Sequence, residues 1–191
     1  MADKTPKQPK GQAPKAQESK GDLYYWLQAL VAALLSIILI FTFVVRVINV
    51  VGSSMVPTLH DGDMLLVRSI GYSPKQGDVV VLTKQSFMDE PIVKRVIAVG
   101  GQTVDIDYTA GTVTVDGQAL EEPYIREAMR PTHYESMTSV EVPEGSIFVM
   151  GDNRNGSTDS RSYSLGCVDE RYIIGGVLCV LLPFSNFCLV A

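Results

Sequence analysis

From Leu23 to Val45 the chain runs for 23 residues without a charged side chain. About 20 consecutive apolar residues are enough for a helix to cross the hydrocarbon layer of a bilayer. A cleavable leader has a shorter apolar region, about 7–15 residues, that closes on a small-x-small site. This run is longer and closes on Phe43-Val44-Val45-Arg46, which predicts an uncleaved transmembrane anchor over 23–45. Five lysines lie before it, and Tyr24, Tyr25 and Trp26 stand at its start. Basic flanks stay cytoplasmic and aromatic rings favour the interface. Everything after Arg46 is then expected outside the cytoplasm, at a cell membrane crossed once.

Residues 1–22 are rich in Lys, Gln, Pro, Gly and Ala and carry a net +2. They have too little apolar content to offset the entropy of ordering, so a disordered cytoplasmic tail is expected. The remaining residues carry a net −7. A nucleic-acid partner would ask for a basic face, so none is expected. The three cysteines, Cys167, Cys179 and Cys188, are odd in number and have no CxxC spacing. They suggest neither a zinc site nor a disulfide framework, and at most one bridge.

Beyond Val47 the pattern turns strand-like. Short β-branched or apolar runs occur at Ile48–Val51, Met64–Val67, Asp78–Leu82, Val96–Val99, Thr112–Val115 and Ile147–Met150. Turn signals separate them, among them Asp61-Gly62-Asp63, Gly100-Gly101, Asp116-Gly117 and Glu144-Gly145. The expected fold is therefore mainly β: an antiparallel sheet or barrel-like extracytoplasmic domain over 46–185, behind one N-terminal transmembrane α-helix. The uncharged stretch 173–191 is long enough for a second crossing, but Gly175-Gly176, Pro183 and Ser185-Asn186 interrupt it. A core strand is expected there instead, followed by an apolar tail, 186–191, resting on protein or lipid.

Gly52-Ser53-Ser54-Met55-Val56-Pro57-Thr58-Leu59 follows the apolar run almost directly and sets a serine between a glycine and a proline. A serine hydroxyl is a weak nucleophile and needs a base. The histidines are His60 and His133, and a triad built from His60 and Asp61 would need a strained turn. Lysine is the other choice. It is normally charged, with a pKa of about 10.4, but apolar burial disfavours the cation. Lys94 sits in Ile92-Val93-Lys94-Arg95-Val96. Neighbours on a strand point to opposite faces, so Lys94 can be buried while Arg95 is solvated. Asp152, Asn153 and Asp159 do not have the spacing of a calcium loop, and no metal or other cofactor is expected.

Ser54–Leu59, Lys94-Arg95-Val96 and Gly151-Asp152-Asn153-Arg154-Asn155-Gly156-Ser157-Thr158-Asp159-Ser160-Arg161 occur in that order behind one membrane segment. In this the chain resembles the bacterial type I signal peptidases. The resemblance implies a serine endopeptidase that removes signal peptides from exported preproteins through a Ser–Lys dyad. By motif match, Ser54 is the nucleophile and Lys94 the general base. Ser157 orients the lysine amine, and an Asp159–Arg161 ion pair holds the polar loop. Some members carry a serine two residues before the nucleophile that adds a hydroxyl to the oxyanion hole. Here that position is Gly52, so the hole is expected to use backbone N–H groups, those of Ser54 and Gly52.

If residues 48–54 are extended, Ile48, Val50, Gly52 and Ser54 share one face. A substrate strand lying there would meet Ile48 and Val50, with Met55 and Leu59 near the cut and Leu65, Ile92 and Val93 completing shallow pockets. The alternative is that all of these are core. Small residues at the first and third positions before the cut, which the resemblance implies, would suit such pockets. Two other functions are open to such a chain. A self-cleaving repressor-type protease would carry a DNA-binding module where this chain has its anchor. A non-catalytic anchored binding domain would make Ser54 and Lys94 dispensable.

Overall fold

The computed structural model describes residues 19–84, 87–130 and 137–190. Most of the expected tail and His133 lie outside the described residues. The chain forms two compact units, 1–39 and 40–191.

The described part of the first unit is one helix, α1, Ser19–Leu39. Its Leu, Ile and Val side chains are about half exposed all round. A helix apolar on every side has no single face to bury against a soluble core. The stretch Asp22–Leu39 is long and apolar enough to cross a membrane. Residues 19–22, read from sequence as tail, form the first turn, where Asp22 complements the positive helix end.

The second unit opens with a π-helical turn, Ile40–Val44. Strands follow: β1 Val45–Asn49, β2 Met64–Arg68, β3 Val79–Lys84, β4 Met88–Val99, β5 Thr103–Asp107 and β6 Thr112–Val115. β7 Gln118–Ala119, β8 Ser139–Glu141, β9 Ser146–Met150, β10 Val168–Asp169 and β11 Ile173–Leu182 complete the set. The pairings are antiparallel throughout. One sheet has the order β1-β2-β11-β3-β4-β9-β10 and the other β7-β6-β5-β8. The larger sheet is open, with β1 and β10 as edges, so the barrel-like alternative gives way to two packed sheets.

Alternation along the strands sorts the core. Val79 and Val81 of β3 join Leu65 and Val67 of β2, Val93 of β4 and Val177 and Val180 of β11. Val80 and Leu82 of β3 join Ile147 and Val149 of β9. Phe148 and Met150 of β9 pack with Val104, Ile106, Val113 and Val115 of the smaller sheet. The loop after β1 closes the first of these clusters with Val50, Met55 and Leu59.

The uncharged stretch near the end is a strand, as expected. β11 lies between β2 and β3 inside the larger sheet. Gly175, read from sequence as a helix breaker, allows close strand contact: a Cβ there would stand 2.2 Å from the Arg68 carbonyl oxygen. Past Pro183 the chain folds back on β11, with Val180 N–H donating to Cys188 O at 3.0 Å and Val190 N–H to Leu178 O at 3.1 Å. The tail thus rests on protein, and Asn186 is joined to the β unit by a bond to Asp63. All three cysteines are free thiols.

Candidate active site

Strand β4 and the loop after β1 bring the two sequence candidates together. Lys94 Nζ lies 2.8 Å from Ser54 Oγ and 3.1 Å from its neighbour's carbonyl, Val93 O. Lys94 is 4% exposed. Burial lowers its pKa below the ordinary lysine value, since an ammonium loses more than an amine when water is removed. The Asp159 charge opposes that shift, Arg161 adds to it, and Asp152 opposes it again. A neutral amine offers a lone pair to the serine proton, which an ammonium cannot do. His60 makes no such contact; its backbone N–H bonds Asp63 Oδ2 at 2.8 Å.

The polar loop after β9 holds the backbone at Ser53 and Ser54 in place. Asn153 N–H donates to Ser54 O at 3.0 Å, and Asn153 Nδ2 to Ser53 O at 3.1 Å. Gly151 N–H donates to Asp159 Oδ2 at 2.9 Å. Arg161 grips the same carboxylate through Nε at 2.7 Å and Nη2 at 2.8 Å, and reaches Arg154 O at 2.7 Å. The Asp159–Arg161 pair expected from sequence is formed, and it ties the loop to the end of β9.

Gly151 matters for a different reason. A Cβ there would lie 2.3 Å from Ser157 Oγ and 2.5 Å from Ser54 O. Only a glycine lets the backbone pass between these two groups. Ser157 itself departs from expectation: its Oγ is buried without a hydrogen-bond partner among the described residues, so the bond to the Lys94 amine is not made.

Arg95 is a second departure. It is buried beside Lys94, not solvated, at 3% exposure. Its Nε donates to Asp152 Oδ1 at 2.9 Å, its Nη2 to Asp152 Oδ2 at 2.8 Å, and its Nη1 to Gly77 O at 2.8 Å. The Thr58 hydroxyl donates to the same Asp152 carboxylate. The guanidinium lies over the Tyr124 ring at 4.0 Å. Arg154, whose Nε donates to Gly151 O at 3.2 Å, is paired with Glu122 in another buried ion pair. Burial, with the Glu122 charge, pushes the Tyr124 hydroxyl up to about 12. Asp152 and Arg154 stand in the polar motif, but their partners lie 57 and 32 residues away, where sequence spacing gives no signal.

The oxyanion and pocket expectations change as well. Gly52 N–H is committed to Asp61 Oδ1 at 2.7 Å, so it is not a free donor. The Ser54 N–H has no partner among the described residues. Strand β1 ends at Asn49 and Gly52 has φ +90°, so the shared face does not run on to Ser54. Val50, Met55, Leu59, Leu65 and Val93 are buried in one core cluster with Ile48 packed against it. Ile92 packs elsewhere, with Val80 and Leu82.

The chain matches the family described as signal peptidase, peptidase S26, over residues 23–182. The chain belongs to the signal peptidase family. Signal peptidase I of Bacillus licheniformis is 34% identical over 181 residues, spanning 90% of this chain and 95% of that protein. The probable signal peptidase I-1 of Synechocystis is 39% identical over 168 residues, spanning 83% and 81%. A solved signal peptidase I from Enterococcus faecalis aligns with a TM-score of 0.44 at 26% identity, covering 55% of this chain and 96% of that one. By that family membership the chain is a peptide-bond hydrolase of the serine endopeptidase class.

Proposed function

We propose that this protein is a membrane-anchored endopeptidase that removes signal peptides from exported preproteins after small-x-small sites, with Ser54 as nucleophile and Lys94 as general base. The observation that carries the reading is the 2.8 Å contact between Ser54 Oγ and the buried Lys94 amine. In the first half-reaction Ser54 Oγ bonds to the scissile carbonyl carbon while Lys94 Nζ takes the hydroxyl proton. The carbon–nitrogen bond then breaks, the lysine returns that proton to the departing amine, and an ester to Ser54 remains. Water attacks the ester, Lys94 takes its proton, and the proton passes to Ser54 Oγ as the acid is released. The developing oxyanion is met by the Ser54 N–H. One such preorganised donor contributes about 3–4 kcal/mol.

The bilayer supplies the setting. The helix with its lysine-rich flank supports an anchor with the N-terminus in the cytoplasm and the peptidase domain outside. Exposed apolar side chains on the second unit, Val51, Phe184, Phe187 and Leu189, support contact with lipid. The test is processing of a preprotein whose signal peptide ends in Ala-x-Ala. Ser54→Ala and Lys94→Ala are each expected to abolish cleavage, and retained processing in either variant removes the dyad.

A further inference from the structure

The Asp61 carboxylate has no place in the dyad, yet it is bonded to the strand that delivers the nucleophile. Val50 N–H donates to Asp63 O at 2.8 Å and Gly62 N–H to Val50 O at 2.9 Å. Both backbone groups of Val50 therefore face the turn at His60–Asp63. The backbone N–H and carbonyl of Val51 have no partner among the described residues. At Gly52 the N–H returns toward the turn. What meets it is not a backbone carbonyl but Asp61 Oδ1, at 2.7 Å.

Gly52 then leaves the extended path with φ +90°, and a Cβ there would meet nothing within 4 Å. Its conformation, rather than crowding, is what must be held. The turn that carries Asp61 is itself fixed. Asp63 is 2% exposed and accepts from His60 N–H at 2.8 Å and from Asn186 Nδ2 at 2.9 Å. On its far side the same loop is held by Asn153, through Ser53 O and Ser54 O. The nucleophile loop is thus clamped at its carbonyls by one element and at its entering amide by another.

We propose that Asp61 is a positioning residue for hydrolysis. By accepting the Gly52 N–H, its carboxylate fixes the Val51–Gly52 peptide, keeps the Val51 carbonyl on the open edge, and sets Ser54 Oγ within reach of Lys94. This rests on the Ser54–Lys94 reading. Because the clamp acts on the backbone through an acceptor oxygen, an amide oxygen can replace it and a methyl group cannot.

The experiment uses the full chain in mild detergent, with a fluorogenic peptide that ends its signal segment in Ala-x-Ala. It compares kcat, KM and thermal unfolding for the parent, Asp61→Ala, Asp61→Asn, Ser54→Ala and Lys94→Ala. One hydrogen bond to a charged acceptor corresponds to about tenfold in rate. Asp61→Ala is expected to lower kcat per folded molecule about tenfold. Asp61→Asn is expected to stay within about threefold of the parent, since its Oδ1 still accepts. A purely structural role would lower the melting temperature and leave kcat per folded molecule unchanged. Asp61→Ala turning over within about twofold of the parent per folded molecule, or Asp61→Asn as slow as Asp61→Ala, overturns the proposal. If Ser54→Ala or Lys94→Ala still cleaves, the dyad reading fails. If both are inert while Asp61→Ala is fully active, only the role of Asp61 fails.

Discussion

Replacing Asp152 by alanine should cost more stability than almost any other polar substitution in this protein. The carboxylate is fully buried and receives Arg95 Nε, Arg95 Nη2 and the Thr58 hydroxyl. Removing it strips two charge-assisted bonds from a guanidinium that is 3% exposed. Each is worth about 1.5–3 kcal/mol, and breaking one side of a buried ion pair typically costs about 3–5 kcal/mol. The bond to Gly77 O and the Tyr124 ring remain to Arg95, which keeps the loss inside that range. The assay is urea unfolding of the full chain in mild detergent, followed by circular dichroism, with the midpoint converted through the slope. The double variant Arg95→Met with Asp152→Leu replaces the pair by apolar groups of similar bulk. It should regain most of the loss, because the cost lies in a charge separated from its partner. An Asp152→Ala loss below about 1 kcal/mol, or a double variant no better than the single one, would refute the reasoning.

Further outcomes follow from the same geometry. Lys94 has a lowered pKa in the folded protein, so between that value and the unfolded lysine value the unfolded chain binds more protons. Stability should therefore rise with pH across that window by up to about 1.4 kcal/mol per unit, and Lys94→Met should remove this slope. Activity should rise with pH through the lowered value, and a half-maximum near the ordinary lysine pKa would show that Lys94 is not dry. Gly151→Ala should lose activity and about 1–3 kcal/mol of stability, since its methyl would meet the Ser54 carbonyl oxygen at 2.5 Å. Ser157→Ala should melt no lower than the parent, because its buried hydroxyl has no partner to lose among the described residues. A fall in its kcat would show that the hydroxyl turns to the lysine during reaction.

Sequence made the β class legible because this property is local. Alternation and turn residues mark Thr112–Val115 or Ile147–Met150 without reference to partners. Ser54 and Lys94 were singled out by the motif resemblance; their chemistry alone offered only a serine in a forced turn and a lysine on a strand-like stretch. What stayed hidden depends on contacts distant in sequence. Arg95 reads as the solvated face of a strand until Asp152, 57 residues on, arrives beside it. The pockets expected along residues 48–54 assumed continuous extension, and the positive φ of Gly52 ends it. The same residue lost its expected role as an oxyanion donor because a side chain nine residues away claims its N–H.

The burial of Lys94 has a further consequence. A histidine base carries its useful pKa with it, whereas Lys94, as the proposed base, borrows one from the absence of water. Its chemistry is therefore conditional on cover. Any opening that hydrates the amine favours the ammonium, which cannot take the proton that the proposed mechanism draws from Ser54. In the proposed dyad that cover comes from the fold itself, which leaves Lys94 only 4% exposed.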